Sequence, residues 1–106
     1  MEFLNVFVRD VLVGKLFEVS DKLSFSYDEK YSHSLGALPI SLSLPLSGIF
    51  ESDAVEAFFS GLLPDENLKK KLARYFKISE NNTFALLKEV GAECAGAISV
   101  LPADKI

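Results

Sequence analysis

One histidine, His33, and one cysteine, Cys94, are the residues of this chain best suited to nucleophilic or metal chemistry. A Cys–His pair catalyses when the imidazole takes the thiol proton, which requires the two side chains to meet. His33 stands in a polar stretch, Tyr31-Ser32-His33-Ser34. Cys94 lies between Glu93 and Ala95, with Gly91 and Gly96 nearby. The plain reading is a surface histidine and a buried, inert thiol. A metal site needs several His or Cys at suitable spacing, and two isolated residues do not supply one. The six glycines never gather into a phosphate-cradling loop before a helix, and no kinase-type catalytic or metal-binding motif occurs. The acidic residues fall at turns and helix starts, where capping explains them. The expectation is a non-catalytic binding protein with no catalytic residue, no cofactor and no metal.

Two groups of residues could carry binding instead. Lys69-Lys70-Lys71, Arg74 and Lys77 form the main charge cluster, and helical spacing puts Lys70, Arg74 and Lys77 on one face. Such a face is either the solvated side of an amphipathic helix or a patch that meets an acidic partner. The segment Tyr27 to Leu38 is the second group. It holds Tyr27, Tyr31 and His33 without helical or strand period. Long unpatterned loops often carry function, and tyrosine is a favoured interface anchor. The structural alternative is that Tyr27 and Tyr31 cap the end of a sheet.

The elements that must position these groups follow from periodicity. Phe3 to Val8 alternates, with Leu4, Val6 and Val8 on one face; Val11 to Val19 is a second strand; Leu23, Phe25 and Tyr27 define a third. Arg9-Asp10 and Ser20-Asp21-Lys22 turn the chain between them, and Gly14 marks a bulge or close approach. Ile40 to Leu44 suggests a short edge strand, Ser47-Gly48 a turn, and Ile49-Phe50 a brief strand. In the second half Asp53 and Glu56 have capping-box spacing, and Val55, Phe58, Phe59, Leu62 and Leu63 make one apolar stripe. Pro64 separates this helix from the next, which buries Leu68, Leu72 and Phe76. A third helix carries Phe84, Leu86, Leu87 and Val90 and stops at Gly91. Ala97 to Leu101 returns to strand, and Ala103 to Ile106 forms a frayed tail. The expected fold is a single α+β domain over 1–106, a small antiparallel sheet or partial barrel of about five or six short strands with three helices packed on it.

Composition agrees. Of the 106 residues, 49% are hydrophobic, enough for a core, while 25% are charged. The net charge of −4 argues against direct nucleic-acid binding, because phosphate contacts need a basic surface. A lone cysteine rules out an internal disulfide and suits a reducing compartment. The N-terminus has no signal-peptide pattern, and no apolar run reaches membrane-spanning length. A cytoplasmic protein without membrane contact is expected.

Several segments, in order along nearly the whole chain, resemble the N-terminal subdomain of HipA-family toxin kinases. They are Val13-Gly14-Lys15-Leu16, Leu23-Ser24-Phe25-Ser26-Tyr27, Pro39 to Leu46, Phe58 to Asp65, Phe84-Ala85-Leu86-Leu87, and Gly91-Ala92-Glu93-Cys94-Ala95-Gly96-Ala97-Ile98. The resemblance implies a domain that packs on a kinase core within a toxin–antitoxin system regulated by a HipB-like helix-turn-helix repressor. The stop at Ile106 resembles HipS, the small third component of HipBST systems. That likeness implies an antitoxin for a HipT-like serine/threonine kinase, or else a structural subunit that stabilises the kinase or bridges it to the repressor. Two departures stand out. Arg9-Asp10 replaces the family's usual Asn-Gly-like turn, and the chain has no tryptophan.

Overall fold

The structure, a computed structural model, describes residues 2–46, 50, 52–93 and 97–102. The expected turn at Ser47-Gly48, Ile49, Cys94 and the tail from Ala103 lie outside the described residues. Three strands come first: β1 (Phe3–Val8), β2 (Val11–Val19) and β3 (Lys22–Tyr27). A one-turn helix follows, α1 (Glu29–Ser32), then α2 (Ser52–Ser60), α3 (Glu66–Phe76) and α4 (Thr83–Val90). A short 3-10 turn, Gly91–Glu93, leads to the last strand, β4 (Ile98–Pro102).

The four strands form one antiparallel sheet in the order β3-β2-β1-β4. Both hairpins close with two-residue turns. Arg9 and Asp10 stand at φ 49° and 70°, Ser20 and Asp21 at 51° and 64°. Positive φ at both central residues is the geometry that matches strand twist. The first hairpin therefore keeps its tight turn without the usual Asn-Gly. Gly14 answers to both sequence readings. The β1–β2 register shifts between Val6↔Gly14 and Phe7↔Leu12, and a Cβ on Gly14 would sit 2.5 Å from the Phe25 ring.

One sheet face makes the core. Leu4, Val6, Val13, Leu16, Leu23, Phe25 and Val100 meet Val55 and Phe59 of α2 and Phe84 and Leu87 of α4 in one buried cluster. The opposite face carries the half-buried Phe3, Phe7 and Phe17, with Phe3 opposite Phe17 in the β1–β2 register and the Lys15 ammonium 4.6 Å from the centre of the Phe3 ring. Gly91 ends α4 at an ordinary helical φ of −65°, so its role is not left-handed backbone. A Cβ there would come within 2.5 Å of the Val100 carbonyl oxygen. The missing side chain lets α4 lie close on β4.

Several expectations need correction. Among the described residues the sheet has four strands rather than five or six. Ile40 to Leu44 joins no sheet; it holds one isolated bridge, Ser41↔Leu44, because Pro39 and Pro45 deny the segment a strand ladder. The segment after Tyr27 is not wholly irregular: the Asp28 carboxylate accepts from the Tyr31 N–H at 3.1 Å and starts α1. Helix α2 begins at Ser52, so Asp53 lies in its first turn, and Glu56 accepts the Thr83 hydroxyl instead of closing a capping box. The stripe of α3 is also shallower than its pattern suggests. Ala73 is its buried residue, Leu72 and Phe76 are half-buried, and Leu68 and Tyr75 are exposed.

The end of α3 yields a stability prediction. Lys77 adopts φ 58°, ψ 46°, and the Ile78 N–H reaches back to the Ala73 carbonyl at 2.8 Å. A side chain in this left-handed position strains the backbone, and glycine does not. Lys77→Gly is expected to raise stability by about 0.5–1 kcal/mol. Chemical denaturation checks this, and a lower midpoint for the variant would contradict it.

Candidate binding surface

Tyr27 and Tyr31 are half-buried and stack with ring centres 6.4 Å apart. Tyr27 leaves β3 pointing into the segment that follows α1. Its hydroxyl donates to the Leu44 carbonyl and accepts from the Ile40 N–H at 3.0 Å. Burial raises its pKa above the ordinary tyrosine range; the Ile40 N–H pulls the other way, and the neighbouring Tyr31 adds to the rise. Tyr31 projects from α1, and its hydroxyl donates to the Leu38 carbonyl at 2.6 Å. The two hydroxyls thus tie down the loop that leads to Leu44. His33 is the exposed C-cap of α1, beside this loop.

The loop offers an apolar surface. Leu35 is 106% exposed, Leu42 97% and Leu38 71%, whereas Leu44 is fully buried and fastens the loop to the core. Beside Leu38 runs a groove of about 430 Å³ lined by Val8, Tyr31, Leu38, Ile40, Ala97 and Ile98. Sequence reasoning chose the tyrosines and missed the leucines. A signal for them was present: no ionisable side chain occurs from Ser34 to Phe50 in a chain that is 25% charged.

The second candidate surface lies on α3. Lys70, Arg74 and Lys77 are all exposed there. Lys69 pairs with Glu66 at 3.6 Å, while among the described residues Lys70, Arg74 and Lys77 have no carboxylate within ion-pair distance. The Asp65 carboxylate starts this helix by accepting from the Leu68 N–H at 3.0 Å. Among the described residues no group of His, Cys, Asp or Glu is placed to hold a metal ion. No helix among them is long and apolar enough to cross a membrane.

The geometry defines a small α+β domain that presents a pinned apolar loop and a basic helix face. The chain belongs to the HipA N-terminal domain family, whose model matches residues 4–101. Among curated proteins it is 35% identical over 104 residues to the putative kinase Y4mE of Sinorhizobium fredii, covering 96% of this chain and 25% of that protein. It is 31% identical to the serine/threonine-protein kinase toxin HipA of Shewanella oneidensis, covering 93% of this chain and 23% of the toxin. The chain therefore spans about a quarter of these kinases. An uncharacterized protein of Haemophilus influenzae is similar in size: at 32% identity, 91% of this chain covers 88% of it. Among solved structures, HipA in the Shewanella oneidensis complex of HipA, HipB and operator DNA superposes with a TM-score of 0.84 at 28% identity, over 97% of this chain and 24% of that one. A structure of the N-terminal domain of HipA toxin superposes with a TM-score of 0.70 at 28% identity, over all of this chain and 96% of that one.

Proposed function

We propose that this chain is a non-catalytic binding protein that docks on a HipT-like serine/threonine kinase and neutralises it, as the small antitoxin of a three-component system. The observation that carries this reading is the match of residues 4–101 to the HipA N-terminal domain. The likeness covers the N-terminal domain of HipA and about a quarter of the kinase chains. The Haemophilus influenzae relative supports action in trans, since 88% of that protein is covered by the same domain. A HipB-like repressor is the second partner, contacted directly or through the kinase; the Shewanella structure of HipA with HipB and operator DNA supports that setting. In this reading the chain works in the cytoplasm without touching DNA, in keeping with its net charge of −4. Partner contacts are placed in two regions in this reading: the loop held by Tyr27 and Tyr31, with His33 beside it, and Lys70, Arg74 and Lys77 of α3.

A scaffolding role is the alternative, in which the chain stabilises the kinase or bridges it to the repressor and leaves activity intact. Co-expression separates the two. Induction of the HipT-like kinase from the same genome should arrest growth, and inducing this chain with it should restore growth. Persistent arrest with both proteins soluble and associated would instead favour the scaffold.

A further inference from the structure

We infer that the loop presenting Leu35, Leu38 and Leu42 is the face by which the chain docks on its kinase, an inference that rests on the kinase-binding reading above. Three observations converge on it. The leucines are 71–106% exposed, so covering them removes nearly all of their apolar surface from water. The far-face phenylalanines Phe3, Phe7 and Phe17 are already half-buried, and the same cover gains less there. Next, the loop is held in shape before binding. Tyr27 fastens it at Ile40 and Leu44, and Tyr31 fastens it at Leu38. A pinned loop loses little conformational freedom on docking, which leaves more of the burial energy as affinity. Finally, the surface is free of charge from Ser34 through Leu46, so docking strands no ion out of water.

The relatives identify the occupant. In Shewanella HipA the same fold makes up 24% of a chain whose remainder is about three times as long. An apolar loop on such a domain is suited to the body of a kinase, which in the reading above is the partner. The surface it meets should be apolar, with room for the three leucines. Leu38 lines the groove together with Val8, Ile40 and Ile98, and Leu35 and Leu42 stand fully exposed on the same loop.

The test compares the wild-type chain with the double variant Leu35→Ser, Leu42→Ser by isothermal titration into the HipT-like kinase. Both leucines are exposed, so the variant should melt with the wild type. Its affinity is expected to fall roughly ten-fold or more. A variant that binds as tightly as a binding-competent wild type would overturn the docking face and leave the kinase reading standing. Failure of the wild type itself to bind would remove both. Sedimentation of the chain alone covers a second copy as occupant. Self-association lost in the variant, with kinase affinity unchanged, would make the loop a homodimer contact and also overturn the inference.

Discussion

Phe59→Ala is expected to lower the stability of this domain by about 3–5 kcal/mol. Phe59 is fully buried in α2, and its ring lies 5.4 Å from that of Phe25 and 5.1 Å from that of Phe58. It is the largest of the side chains that the fold buries completely. Truncation removes its transfer energy and leaves a cavity between helix and sheet that neighbouring strands cannot collapse to fill. Domains of this size are stable by only about 5–15 kcal/mol, so the variant should lose at least about a fifth of the total. Its melting temperature should drop by more than roughly 10 °C. Leu62→Ala should cost less, because Leu62 lies beyond the end of α2 and is half-buried. Thermal and urea denaturation check both. A Phe59→Ala variant that melts with the wild type would mean that α2 does not close the core.

Tyr27→Phe is the second change with a large expected effect, and it acts through hydrogen bonds. The ring remains, so its edge contact with Phe25 at 4.9 Å remains. The hydroxyl is lost, and with it the partner of both the Leu44 carbonyl and the Ile40 N–H. Leu44 is fully buried, so its carbonyl finds water only if the loop opens. Leaving such groups unpaired costs about 1–3 kcal/mol. The loop should loosen at the same time, weakening kinase binding even though Tyr27 need not touch the kinase. Alkali offers an independent check. Burial holds the folded-state pKa of Tyr27 above the unfolded value, so the folded protein keeps this proton longer than the unfolded chain does. Its contribution is therefore complete below about pH 10 and declines as pH climbs past that value. Tyr27→Phe should lose that component of the alkaline decline. Equal wild-type and variant stability at neutral pH, with identical alkaline profiles, would contradict the role assigned to the hydroxyl.

Periodicity made most of the core legible. Leu4 and Val6, Leu23 and Phe25, and Val55 and Phe59 all fall on the buried side that their spacing requires. Local rules failed where tertiary contacts decide. Ile40 to Leu44 alternates like a strand, yet the Tyr27 hydroxyl ties its two ends together as a loop, and no pattern in the segment itself announces that contact. Glu56 has capping spacing but turns to Thr83, a residue far along the chain. Leu68 repeats correctly with Leu72 and Phe76, yet α3 lies at the margin of the fold and leaves Leu68 exposed. For the candidate binding surface, the sequence pointed to Tyr27, Tyr31 and His33, which lie in or beside the loop that exposes Leu35, Leu38 and Leu42. It did not show that the tyrosine hydroxyls face inward to hold the loop while the leucines face outward, since that distinction depends on how the loop is folded.

Neutralisation by direct binding is tested most directly by titrating kinase activity. Phosphate transfer by the HipT-like kinase to a protein substrate would be followed while the purified chain is added in increasing amounts. Activity is expected to fall with added chain and to be lost near one equivalent. Undiminished turnover at ten equivalents, with both proteins folded, would contradict it.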